Sequence, residues 1–89
     1  SDIENRLASI GLFDNAVVVG EGQPYLVLIA QLNPENWQAL AQEYGLDPDS
    51  ESALDDKKVL DHARDLVNER LKDMPAYAKI RSLLLTTDE

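Results

Sequence analysis

Two apolar, β-branched runs dominate the pattern of the chain, Ala16–Val19 and Tyr25–Leu32. Valine and isoleucine suit a pleated, buried surface. Between the runs stands Gly20-Glu21-Gly22-Gln23-Pro24, a turn signal. The spacing predicts an antiparallel hairpin with a glycine at positive φ in its loop. Neither run alternates cleanly between apolar and polar. Most of both hairpin faces are therefore expected to be covered, by a helical layer or by another domain. Upstream, Ser1 and Glu4 form an S-x-x-E capping-box pattern, and Ile3, Leu7 and Ile10 follow at helical spacing until Gly11. This first helix is short and must draw its stability from tertiary packing.

The hairpin feeds into Asn33-Pro34-Glu35-Asn36-Trp37, with Asn33 as N-cap and Pro34 at the first helical position. The second helix is expected from about Pro34 to Tyr44. Trp37, Leu40, Ala41 and Tyr44 give it one apolar face, and Gly45 then Leu46 read as a left-handed cap with its hydrophobic follower. Trp37 reads as a core anchor, with an exposed docking patch as the alternative. Asp47–Ala53 reads as a polar loop. A third helix is expected from an Asp55 N-cap, stapled by Leu54 and Val59, to about Asp73. Its apolar face is Val59, Leu60, Ala63, Leu66, Val67 and Leu71, which Met74 extends, and Pro75 stops it. Ile80–Thr87 is the last strand.

The order is α-β-β-α-α-β. It predicts a two-layer α+β domain in which a three-stranded sheet, the hairpin plus the last strand, packs against three helices. Pattern alone leaves the last strand free to pair in either direction.

At 89 residues the chain is one domain, near the small end of what folds without staples. It has no cysteine, hence neither disulfides nor thiol chemistry, which fits a reducing, cytoplasmic setting. No apolar stretch reaches membrane-span length. The net charge of −9 speaks against nucleic acid, whose phosphates need a basic surface. Acids concentrate between Glu43 and Asp61, and such a run is read as a solvated loop and helix start. Asp47, Asp49 and Glu51 alternate as in an EF-hand loop. The central glycine and closing glutamate are missing and Pro48 interrupts, so no metal site is expected. His62 is the only histidine and is read as a surface residue of the third helix. Gly20-Glu21-Gly22 joins two strands and opens no helix, so it is not a phosphate loop. From the residues alone the chain reads as a non-catalytic unit. Its start in a helix cap and its end on Thr86-Thr87-Asp88-Glu89 predict a fragment of a longer protein.

Four segments together resemble the C-terminal domain of AMP-forming acyl-CoA synthetases, most of all the long-chain fatty acid–CoA ligases. They are Ile3-Glu4-Asn5-Arg6-Leu7, Val17–Gly22 with Pro24-Tyr25-Leu26-Val27, Asn33-Pro34-Glu35 through Asp47-Pro48, and Pro75-Ala76-Tyr77-Ala78-Lys79-Ile80-Arg81. The resemblance covers nearly the whole chain. It implies the core of a mobile domain that rotates between two half-reactions. The parent enzyme would activate a fatty acid with MgATP to an acyl-adenylate, then pass the acyl group to CoA. It would be cytoplasmic, with peripheral membrane association allowed. The main partner implied is an N-terminal adenylation domain of the same polypeptide. The family's catalytic lysine follows the last strand, beyond Glu89, so no residue here inherits that role and the chain alone is expected to be inactive. The resemblance implies no cofactor bound by this chain alone, and CoA weakly at most. It does imply a contact between the CoA nucleotide and Tyr77, Lys79 and Arg81. Related ligases often carry proline where Ile80 stands. The alternatives are the same domain from a ligase that loads a carrier protein, and a stand-alone acidic α+β interaction module.

Overall fold

The computed structural model describes residues 2–20, 22–75 and 80–88. Its elements are α1 (Asp2–Leu7), β1 (Phe13–Val19), β2 (Leu26–Leu32), α2 (Pro34–Glu43), a 3-10 turn (Glu51–Asp55), α3 (Lys57–Leu71) and β3 (Ile80–Thr86). This is the expected α-β-β-α-α-β order, with one three-stranded sheet of order β1-β2-β3 and the helices on one side.

β1 and β2 form the antiparallel hairpin, with Val17 opposite Ile29 and Val19 opposite Val27. Its loop needs glycine at two points. Gly20 has φ +110° and Gly22 has φ +83°, a region where side chains clash with the backbone. At Gly20 an added Cβ would also lie 2.7 Å from the Tyr25 carbonyl oxygen. β3 pairs with β2 in parallel, with Leu28 opposite Leu83 and Ala30 opposite Leu85. A parallel partner needs a long crossover, which α2, the 3-10 turn and α3 supply. The direction that the sequence pattern left open is thereby fixed.

β2 alternates buried and half-buried residues. Leu26, Leu28, Ala30 and Leu32 point inward with Ala16, Leu83 and Leu85. Against them lie Trp37, Leu40 and Ala41 of α2 and Val59, Ala63, Val67 and Leu71 of α3. Each fully buried leucine contributes roughly 2 kcal/mol of hydrophobic stabilisation, so this one layer carries most of the fold.

The second helix follows its local signals closely. The Asn33 side chain accepts from the Asn36 N–H at 3.0 Å. At the far end the Gly45 N–H donates to the Gln42 carbonyl and the Leu46 N–H to the Ala41 carbonyl. With Gly45 at φ +69°, this is a Schellman cap. Trp37 is a core residue, 3% exposed, and its indole N–H donates to the Pro48 carbonyl at 3.0 Å.

Two expectations are corrected, and a third is met on one side only. α1 stops at Leu7 instead of running to Ile10. Ile10 stays buried through a turn in which its N–H donates to the Leu7 carbonyl, and Gly11 is not left-handed. The N-cap of α3 is Asp56, not Asp55: its carboxylate accepts from the Lys58 and Val59 N–H groups. The reason lies upstream, where Asp47–Ala53 is not a plain loop. The chain tightens into the 3-10 turn, which buries Ala53 and packs Leu54 against the core. Finally, the helices cover only one sheet face. On the other, Val17, Val19 and Leu84 are 43%, 48% and 53% exposed. The continuous apolar runs do not reflect cover on both sides within this chain.

Ser1, with its half of the capping box, lies outside the described residues. Glu4 is described, and its carboxylate accepts from the Val18 N–H at 2.9 Å, tying α1 to the edge of β1.

Candidate functional site

Tyr77 and Lys79, two of the three residues implied in nucleotide contact, lie outside the described residues. Arg81 is described. It is the extra residue where the β2–β3 register shifts between the Leu26–Ile80 and Val27–Ser82 pairs. A bulge of this kind turns a side chain out of the alternating pattern. Arg81 is exposed, and its guanidinium carbon sits 3.9 Å from the centre of the Tyr25 ring. The stack gives the cation a fixed direction at the rim of the open sheet face, a contact worth on the order of 0.5–1 kcal/mol where exposed.

The sequence missed Tyr25 as the partner of Arg81. The signal was present but non-local. Once β3 runs parallel to β2, the first residues of both strands meet at the same end of the sheet. Tyr25 just before β2 then meets Arg81 just inside β3.

The open face carries Val17 and Val19, Val27 and Ile29, and Ser82 and Leu84, followed at one end by the polar row Asn15, Gln31 and Thr86. No strand residue on it carries a carboxylate. The many acids of this chain are carried elsewhere, largely by the helical layer and the loop before it. The sheet face is therefore apolar at its centre, with a polar row at one end and one cation at the rim of the other.

The helical side holds the other concave features. An open groove of about 700 Å³ has a floor of Ile10, Leu12, Leu40 and Leu66 and a rim of His62 and Arg70. His62 is half-buried, not a plain surface residue, and meets Tyr44 edge-on at 6.2 Å between ring centres. Arg70 donates to the Ser9 hydroxyl. Beside it, Arg6 donates to Asp73 at 2.7 Å. The Arg6 guanidinium holds the Asp73 carboxyl below the ordinary carboxylate range. These bonds join α1 to the end of α3. They are exposed, so they set position more than stability. On the acidic loop, Asp47 accepts from the Asp49 N–H at 2.9 Å, which turns its carboxylate onto the backbone. Among the described residues no three His, Asp or Glu side chains converge as a metal site.

None of these features unites a nucleophile with a general base. What the described residues offer is a directed cation at a sheet rim, an open sheet face and a helical groove, features suited to contact. Among the described residues, no helix is long and apolar enough to cross a membrane. No family model, no curated protein and no solved structure matches the chain.

Proposed function

We propose that the chain is the core of the mobile C-terminal domain of an AMP-forming long-chain fatty acid–CoA ligase. The parent polypeptide activates a fatty acid with ATP and Mg to acyl-AMP, then transfers the acyl group to CoA. It acts in the cytoplasm. The four ordered segments quoted above support this reading across nearly the whole chain. The observation that carries it is Arg81, exposed and stacked on Tyr25 at the rim of an uncovered, acid-free face. A domain that swings between half-reactions needs such a face for a large neighbour, here an N-terminal adenylation domain. It also needs its ligand-facing residues at the boundary.

In this reading Arg81 and Lys79 meet the CoA ribose phosphate and Tyr77 stacks on adenine. The contact is made only in the thioester-forming arrangement. Arg81→Ala or Lys79→Ala in the full polypeptide then raises the KM for CoA and leaves acyl-adenylate formation unchanged. A lost charged hydrogen bond corresponds to about 1.5–3 kcal/mol, and less where salt screens an exposed site. Tyr77→Ala acts in the same half-reaction, while Tyr77→Phe is mild because the ring and not the hydroxyl makes the contact. Single-turnover rates for the two half-reactions decide. Equal loss in both, or loss in neither, removes these residues from the CoA site.

A further inference from the structure

Tyr25 stands between two fixed pieces of backbone. Before it, the Gln23 N–H donates to the Gly20 carbonyl at 2.9 Å, and Pro24 locks its own φ. The loop closes so tightly on the Tyr25 carbonyl that a Cβ at Gly20 would collide with it. After it, Leu26 pairs with Ile80 and opens the ladder that carries Arg81. The Tyr25 ring is 52% exposed, so the hairpin presents the ring without burying it. An exposed arginine otherwise samples many rotamers, a freedom that a ligand must remove on binding. Here the guanidinium carbon already rests 3.9 Å from the ring centre.

We propose that Tyr25 is a positioning residue for the nucleotide end of CoA. Its ring holds Arg81 in the direction from which the guanidinium meets the ribose phosphate, so Tyr25 sets the preference for CoA over dephospho-CoA, which lacks that phosphate. The inference rests on the reading of Arg81 as a CoA contact and adds to it a residue that the family resemblance does not assign.

A ring suits this role better than a carboxylate does. A carboxylate holds a guanidinium by taking its N–H donors and opposing its charge. An aromatic ring attracts the cation through its π face and leaves the N–H edge and the charge for a ligand. A phosphate monoester uses both, because it accepts two parallel N–H bonds and carries negative charge. The register shift gives the pair its place. Arg81 is the extra residue between the Leu26–Ile80 and Val27–Ser82 pairs, which sets it beside the first residues of β2. The hairpin loop thereby controls, through Tyr25, a cation that belongs to a strand far along the chain.

The test is the ratio of kcat/KM for CoA to that for dephospho-CoA in the thioester-forming half-reaction of the full polypeptide. General damage scales both substrates alike and cancels in the ratio. Arg81→Ala is expected to lower the ratio about 10-fold. Tyr25→Ala is expected to lower it roughly 2- to 5-fold, the scale of an exposed cation–π contact, while Tyr25→Phe keeps it. The double variant falls no further than Arg81→Ala alone, because Tyr25 acts only through Arg81. In the 89-residue chain, ring-current shifts of the Arg81 side-chain protons are expected in the wild type and in Tyr25→Phe and lost in Tyr25→Ala. Their absence from the wild type overturns the proposal. A ratio that falls in Arg81→Ala but not in Tyr25→Ala also overturns it and leaves the CoA reading standing. Equal loss of both substrates in Tyr25→Ala assigns the ring elsewhere and overturns it as well. A ratio that Arg81→Ala leaves unmoved removes the CoA reading and this inference with it.

Discussion

Trp37→Ala is the sharpest test of how this small core is held. The indole is the largest side chain in the core and is 3% exposed. Burying roughly 200 Å² of aromatic surface at about 25 cal/mol per Å² corresponds to about 5 kcal/mol. Measured truncations of buried aromatics fall near 3–5 kcal/mol. The indole N–H bond to the Pro48 carbonyl, which joins α2 to the loop before the 3-10 turn, adds about 1 kcal/mol. We expect a loss of about 4 kcal/mol. A domain of this length has a total stability of about 4–13 kcal/mol, so the variant approaches the limit of folding. Trp37→Phe keeps most of the volume and loses the hydrogen bond, for about 1.5 kcal/mol. Urea melts decide, followed by far-ultraviolet circular dichroism because Trp37 is the only tryptophan. With a slope near 1 kcal/mol per molar, the Trp37→Phe midpoint falls by roughly 1.5 M. A Trp37→Ala loss below about 1 kcal/mol would refute the packing argument and return Trp37 to the docking surface.

Three further outcomes follow from the same geometry. Gly20→Ala costs about 3 kcal/mol, because strain at positive φ adds to contact with the Tyr25 carbonyl, whereas Gly22→Ala meets open space and costs about 1–2 kcal/mol; equal losses in thermal melts contradict the hairpin geometry. Leu66→Ala costs less than Trp37→Ala in the same melts, because Leu66 is only half-buried and lines the open groove. Arg6 lowers the Asp73 pKa in the folded state, so this contribution is complete above the ordinary carboxylate range. It is lost as pH falls through that range to the lowered folded value. A carbon-detected NMR titration should show the Asp73 midpoint rise in Arg6→Ala, and an unchanged midpoint contradicts the α1–α3 tie.

What could be read from the sequence was local. Asn33 and Pro34 start α2, and Gly45 with Leu46 ends it, because each signal acts within a few residues of the bond it makes. The hairpin is legible for the same reason. The α3 cap was harder, since Asp55 and Asp56 are both able acceptors. The choice between them depends on Leu54 and Ala53 finding the core, a tertiary event. The direction of β3 depends on a crossover that runs from α2 through α3. The Tyr25–Arg81 stack exists only once that direction is set. Of the candidate site, Arg81 was legible and its aromatic partner was not. What covers the second sheet face was left between a helical layer and another domain, because valine and isoleucine runs look alike whatever packs on them.

The claim that this is the core of a fatty acid–CoA ligase's mobile domain is tested most directly by its reading frame. Sequencing the transcript on both sides of these codons is expected to show an adenylate-forming domain of several hundred residues upstream, on the scale of large multidomain chains. It is also expected to show a lysine codon soon after Glu89. A stop codon directly after Glu89, with no such domain before Ser1, would contradict the account and leave a free-standing interaction module in its place.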